Sequence, residues 1–139
     1  MNYEFRGYDA VGGKGWVYGD LVHNKKVTKT GLEPRVMVGG YEVDPKSVGM
    51  FTGLYDKNGK KIFEGDIIDN SWCFSGIGIV CFGEYQHLDA QIGYKNGDMG
   101  FYVKHLGECK DIIRPDILFF AERCEIIGTI YEQNQKKQL

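Results

Sequence analysis

Along much of this chain, apolar positions alternate with polar or small ones in short runs bounded by glycine, the period-two signature of half-buried strands. Tyr3-Glu4-Phe5-Arg6-Gly7-Tyr8 is the first such run and Trp16-Val17-Tyr18-Gly19-Asp20-Leu21-Val22 the second. The flexible Gly12-Gly13-Lys14-Gly15 between them makes the pair a hairpin. Residues 23–34 are polar and poorly patterned, which predicts a variable loop, and Arg35-Val36-Met37-Val38 reads as a third short strand closed by Gly39-Gly40. Asp44-Pro45 before Lys46-Ser47-Val48 places a capping carboxylate ahead of a proline, predicting a turn or one helical turn. Asn58-Gly59 is a strong hairpin-turn dipeptide, because both residues tolerate positive φ. Ile62-Phe63, a Glu64-Gly65 corner and Asp66-Ile67-Ile68-Asp69 then lead into a new strand.

Strand follows strand from there. Gly76 to Phe82 is β-rich, and residues 90–94 and 99–103 flank Asn96-Gly97, a second Asn-Gly turn. Arg114-Pro115-Asp116 opens a short helix or an extended segment through Phe120, Glu125 to Tyr131 is the closing strand, and the polar residues Glu132 to Leu139 fray. Many short strands at this spacing predict a mainly β protein with few short helices. Residues 1–60 form an N-terminal β region of hairpins and turns, packed on a small SH3-like β-barrel over residues 61–131, with 132–139 as the tail.

Composition supports this reading. Twenty Gly against three Pro suits a chain that turns often, since Gly costs about 1 kcal/mol inside a helix. Seventeen basic and 19 acidic residues give a net charge of −2, which is not the footprint of a general nucleic-acid binder, although a local patch remains compatible with it. Residues 1–6 have neither the basic start nor the apolar run of a signal peptide, and no run is long enough to span a bilayer. The expectation is therefore a cytoplasmic protein whose four cysteines, Cys73, Cys81, Cys109 and Cys124, are reduced.

Candidate chemistry is sparse. The cysteine pairs 73/81 and 109/124 lack the close knuckle spacing of structural zinc, and His105 with Cys109 has no matching pair, so the reading is no metal and no cofactor. His23, His87 and His105 sit in unrelated contexts without a nucleophile motif. Glu64 and Asp66 could form a carboxylate pair, but two residues flanking a Gly corner more often cap turns, so no catalytic residue is assigned and the protein reads as a non-enzyme. The glycine-rich stretches at 12–15 and 39–40 do not open a helix as a phosphate loop requires. Lys57, Lys60 and Lys61 surround the Asn58-Gly59 turn with Tyr55 and Phe63 nearby, a basic tip able to hold nucleic acid, or else lysines that solubilise a hairpin whose aromatics pack inward. Nineteen aromatics are many for one small core, and Trp72 and Phe74 beside Ser75-Gly76 are the candidate self-association positions; the alternative is that such rings close the barrel.

The block Val43 to Asp69, VDPKSVGMFTGLYDKNGKKIFEGDIID, joins Thr52-Gly53-Leu54, Asp56-Lys57-Asn58-Gly59-Lys60 and Glu64-Gly65-Asp66-Ile67 in a distinctive order. With Phe5-Arg6-Gly7, Trp16 to Leu21 and Ile127 to Glu132, it resembles the YopX family of phage and prophage proteins. The resemblance implies a bacterial cell, a mobile-element origin and a homo-oligomer, and it defines no functional residues. Taken together, the expectation is a phage- or prophage-encoded interaction or assembly protein that associates with itself and with a host or phage protein. A nucleic-acid-binding accessory protein is the second reading, and no membrane partner is expected.

Overall fold

The computed structural model describes residues 3–70, 76–89, 93–106 and 116–137, with the backbone alone at 86–89 and 93–96. Among them are eleven strands in three antiparallel sheets, one of them a half-barrel sheet, and one short helix. The mainly β class read from the alternation holds. The chain divides into two units, Met1–Gly53 and Leu54–Leu139.

In the first unit β1 (Phe5–Asp9) and β2 (Gly15–Gly19) form the expected hairpin, in register from Phe5↔Gly19 to Asp9↔Gly15. Asp9 closes it by accepting a hydrogen bond from the Gly12 N–H at 2.7 Å. The inward face carries Val17, which joins Val38 and Val43 in a core that Phe5, Leu21, Val36 and Val48 flank. Gly7 shares that face. A Cβ there would come within 2.7–2.8 Å of three Val43 side-chain atoms, so only glycine lets the strand lie this close. Asp44 accepts from the Lys46 N–H at 3.0 Å and opens the 3-10 turn Pro45–Ser47, as the Asp-Pro pair predicts. Ser47 Oγ accepts from the Tyr8 N–H at 2.7 Å and donates to the Asp44 carbonyl at 2.6 Å, tying the turn to β1.

Residues 23–34 are not a loop. β3 (Leu21–Thr28) and β4 (Gly31–Val38) pair along eight positions, and β5 (Tyr41–Val43) adds to β4 only at Val36–Val38. Beyond that base both faces of the hairpin meet solvent, so its side chains follow no hydrophobic alternation. Pro34 lies on the stretch of β4 that β5 does not flank, where a missing donor is tolerated.

β6 (Gly49–Tyr55) pairs with β1 at Phe5↔Met50 and Arg6↔Gly49, and its end lies beside β7 (Lys61–Phe63) in the second unit. β8 (Asp66–Asp69), β9 (Ile77–Asp89), β10 (Gly93–His105) and β11 (Glu125–Thr129) build a sheet in the order β10-β9-β8-β11. Ile62, Ile68, Val80, Val103, Ile117, Phe120 and Cys124 form the core of this unit, each buried. Ile117–Phe119 is the short 3-10 turn that Asp116 opens.

Two local expectations fail here for identifiable reasons. Asn96-Gly97 is not a hairpin turn: β10 runs through it, with one extra residue against β9 between Lys95↔His87 and Asp98↔Tyr85, a β-bulge. The C-terminal strand stops at Thr129, and Ile130–Lys137 is helix α1 rather than a fraying tail. Thr129 Oγ1 accepts from the Glu132 N–H at 3.1 Å, so Thr129-Ile130-Tyr131-Glu132 starts the helix with the Thr-x-x-Glu pattern of a capping box.

Candidate functional site

The Tyr55–Asp66 segment brings together the three candidate lysines, the Asn58-Gly59 turn and the Glu64/Asp66 carboxylates. Lys57-Asn58-Gly59 forms a three-residue loop in which Gly59 alone is left-handed (φ 78°), with Asp56 N–H donating to the Lys60 carbonyl at 2.8 Å. The Asp56 side chain is buried and organises everything around it. Its Oδ1 accepts from the N–H groups of Asn58 and Lys60, both at 2.9 Å, and its Oδ2 accepts from Ile126 N–H at 3.1 Å. Tyr55 and Lys57 are held to the same C-terminal stretch by backbone bonds, Glu122 N–H to Tyr55 O and Lys57 N–H to Cys124 O, both 2.9 Å. Asp66, also buried, accepts from Phe63 N–H at 2.8 Å across the Glu64-Gly65 corner. Asp56 and Asp66, like Asp44 earlier in the same block, thus cap turns. Lys57 and Lys60 are exposed on the loop and Lys61 is half-buried in β7, but Lys57 pairs with Glu125 at 3.4 Å and Phe63 is core. Of the two aromatics near the basic tip, Tyr55 is exposed and Phe63 is buried.

The remaining nucleophiles and bases are scattered. Cys81 and Cys124 are free thiols; Cys73 and Cys109, like the interface candidates Trp72 and Phe74, lie outside the described residues. Burial pushes the Cys124 thiol up to about 11, helped by the neighbouring Asp56 carboxylate. Burial also raises Cys81, with Lys104 partly offsetting it. Thiols raised in this way stay protonated near neutral pH and are weak nucleophiles and weak metal ligands. His105 packs against the Phe120 ring at 5.6 Å, and burial lowers its pKa from 6.5. Its two ring nitrogens are buried without a hydrogen-bond partner among the described residues, so nothing orients it as a base. Among the described residues no three His, Cys, Asp or Glu side chains gather as a metal site. The open depression along Leu118, Phe119, Ala121, Glu122 and Arg123, about 660 Å³, pairs no nucleophile with a base. No helix of the described residues is long and apolar enough to cross a membrane.

Two hairpins carry the features that packing does not account for. In the second unit, the face of β9–β10 that enters the core with Val80 and Val103 continues past it through Phe82↔Phe101 and Glu84↔Met99. Phe101 packs on the core and meets the Phe82 ring edge-on at 5.1 Å, yet Phe82 is 53% and Met99 72% exposed. β10 is the last strand of its sheet, and beyond the Tyr102↔Asp116 bridge no described strand pairs its outer edge. In the first unit, the core-facing stripe of β3–β4 starts at Leu21↔Val38 and ends at the Val27↔Leu32 pair, 85% and 65% exposed. No periodicity pointed to either stripe's outer end, because only the pairing register identifies the face.

The family model described as YopX protein matches residues 4–136, nearly the whole chain. This chain belongs to the YopX family. A comparison with curated proteins found no match. The YopX match takes in both projecting hairpins as well as the Asp56 and Asp66 turns, so the surfaces and the scaffold that carries them belong to one family pattern.

Proposed function

We propose that this YopX protein is a phage- or prophage-encoded, non-enzymatic assembly protein that works in the host cytoplasm, with a second copy of itself as its first partner. The observation that carries the reading is the apolar stripe of Phe82, Phe101 and Met99, which continues a core face into solvent beside a strand edge that, among the described residues, is paired by the Tyr102↔Asp116 bridge alone. An exposed edge of this kind favours pairing with another strand, and a two-fold contact between β10 edges would cover the stripe in each copy. Among the described residues, the thiols of Cys81 and Cys124, both raised by burial, and His105, with its ring nitrogens buried against Phe120, fit a role without chemistry of its own. A further host or phage protein would then bind the assembled form.

Light scattering coupled to gel filtration tests this directly. The expected mass is a multiple of 15.8 kDa at micromolar concentration, falling to one protomer in Phe82→Ser with Met99→Ser. Both positions are exposed, so the variant keeps its fold. A parent mass of 15.8 kDa refutes the reading, and an oligomer that survives both changes refutes the surface.

A further inference from the structure

The β3–β4 hairpin has features that self-assembly through β10 leaves unexplained. Only its base, Leu21 with Val36 and Val38, serves the core. Eight residues per strand make an arm about 26 Å long at roughly 3.3 Å per residue. Residues 21–38 carry Lys25, Lys26, Lys29 and Arg35 against the single carboxylate Glu33, in a chain whose net charge is −2. Positive charge is thus gathered on this hairpin, with Lys25, Lys26 and Lys29 beyond the base that serves the core.

The cations are also arranged. By the pairing register, Lys26 and Arg35 lie on one face, while Lys25 shares the opposite face with Val27 and Leu32; Lys29 sits in the connecting turn. Arg35 Nε donates to Asn24 Oδ1 at 2.6 Å, and Lys26 Nζ donates to Glu42 at 2.9 Å, so these two side chains are braced along the arm. Lys25 and Lys29 are exposed. The apolar pair Val27↔Leu32 is the rung before the last, Thr28↔Gly31, with Lys25 and Lys29 near it along the chain.

We propose that the β3–β4 hairpin is a DNA-binding arm. Its cations contact phosphates on both sides of a duplex groove, and Val27 and Leu32 act as an apolar wedge against the base steps. A two-stranded ribbon has the dimensions to enter a groove of duplex DNA. Apolar wedges flanked by basic residues unstack base steps and bend the duplex. Charge on both faces matches a groove with two phosphate walls, whereas a bilayer surface would meet one face only. Pairing of two arms from separate copies would oppose like charges. This site is separate from the Asn58-Gly59 turn; an ion pair engages one cation at each, Lys57 with Glu125 and Lys26 with Glu42.

The test uses the full chain and a 30-base-pair duplex carrying a fluorophore at each end, read by anisotropy for affinity and by energy transfer for bending. Between ~50 and ~200 mM salt, log K should fall with log salt with a slope of about −3 to −4, from roughly 0.9 per phosphate contact. Lys25→Ala with Lys29→Ala should reduce the slope by about 2. Val27→Ser with Leu32→Ser should keep the slope and lose the bend. All four positions are exposed, so circular dichroism melting should match the parent. Any one of several results overturns the proposal. These are no duplex binding at the lowest salt, an unchanged slope in the double-lysine variant, a bend that survives the double-serine variant, or binding to phosphatidylserine vesicles in place of the duplex. A slope that falls instead in Lys57→Ala with Lys60→Ala and Lys61→Ala assigns the contact to the other turn and equally overturns it.

Discussion

Replacing Asp56 should be among the most damaging single changes in the second unit, and its size follows from three hydrogen bonds. The carboxylate takes the N–H groups of Asn58 and Lys60 in the loop and of Ile126 in β11, seventy residues away. A hydrogen bond to a charged group contributes about 1.5–3 kcal/mol. In Asp56→Ala water can reach the two loop donors, which limits their loss to about 0.5–1 kcal/mol each, while the strand donor at Ile126 loses the larger amount. The sum is about 2.5–5 kcal/mol, or on the order of 8–15 °C in melting temperature at roughly 3 °C per kcal/mol for a chain of this size. Asp56→Asn retains an oxygen for the loop but turns an amide toward Ile126 N–H, so it should lose about half as much, roughly 2 kcal/mol. Urea denaturation followed by circular dichroism gives both values. Hydrogen exchange at the Ile126 amide, expected to accelerate in both variants, locates the damage. Melting within ~2 °C of the parent for Asp56→Ala would show that the turn and β11 hold together without the carboxylate, and the account of the block would fail.

Three other changes separate strain from crowding and charge from packing. Gly59 is left-handed with open space around it, so Gly59→Ala should cost about 1 kcal/mol from backbone strain alone; Gly7→Ala, driven into Val43, should cost about 1–3 kcal/mol, and the reverse order in thermal melts would contradict the geometry. His105 has a pKa lowered by burial, so the unfolded chain binds its proton first as pH falls: its contribution is intact above about 6.5 and is lost as pH drops toward the folded value. His105→Phe should flatten stability between pH 7 and 5, and an unchanged pH profile in that variant would show that another group governs it.

What was legible in the sequence was whatever one face of a strand or one turn residue dictates. The β1–β2 hairpin announced itself because Phe5 and Val17 face a core while Tyr8 and Tyr18 do not. Asp44-Pro45 announced a capped turn because a carboxylate and a fixed φ act within three residues. The β3–β4 arm escaped because both of its faces meet solvent, and period-two reasoning detects burial rather than strands. Asn96-Gly97 misled because the dipeptide that favours a turn also suits a bulge, and the choice depends on the length of the strand opposite. The capping box at Thr129 was readable, but a polar helix with Tyr131 as its buried residue gives little periodicity to support it. Of the candidate site, Glu64 and Asp66 were already better explained as turn residues, whereas the outer ends of both hairpins became visible only through register.

The bond from Asp56 to Ile126 also sets the order in which the chain can fold as it is made. The first unit gathers Val17, Val38 and Val43 within some forty residues and closes its own hairpins, so it can fold while translation continues. The second unit cannot do so: its core needs Ile117, Phe120 and Cys124, and its best-braced turn waits for Ile126 to leave the ribosome. Until then β9, with Val80 in it, is synthesised without the core residues that cover it. The interval between those two events is when the nascent protein has most to gain from a chaperone, and slow codons between residues 82 and 126 would lengthen it.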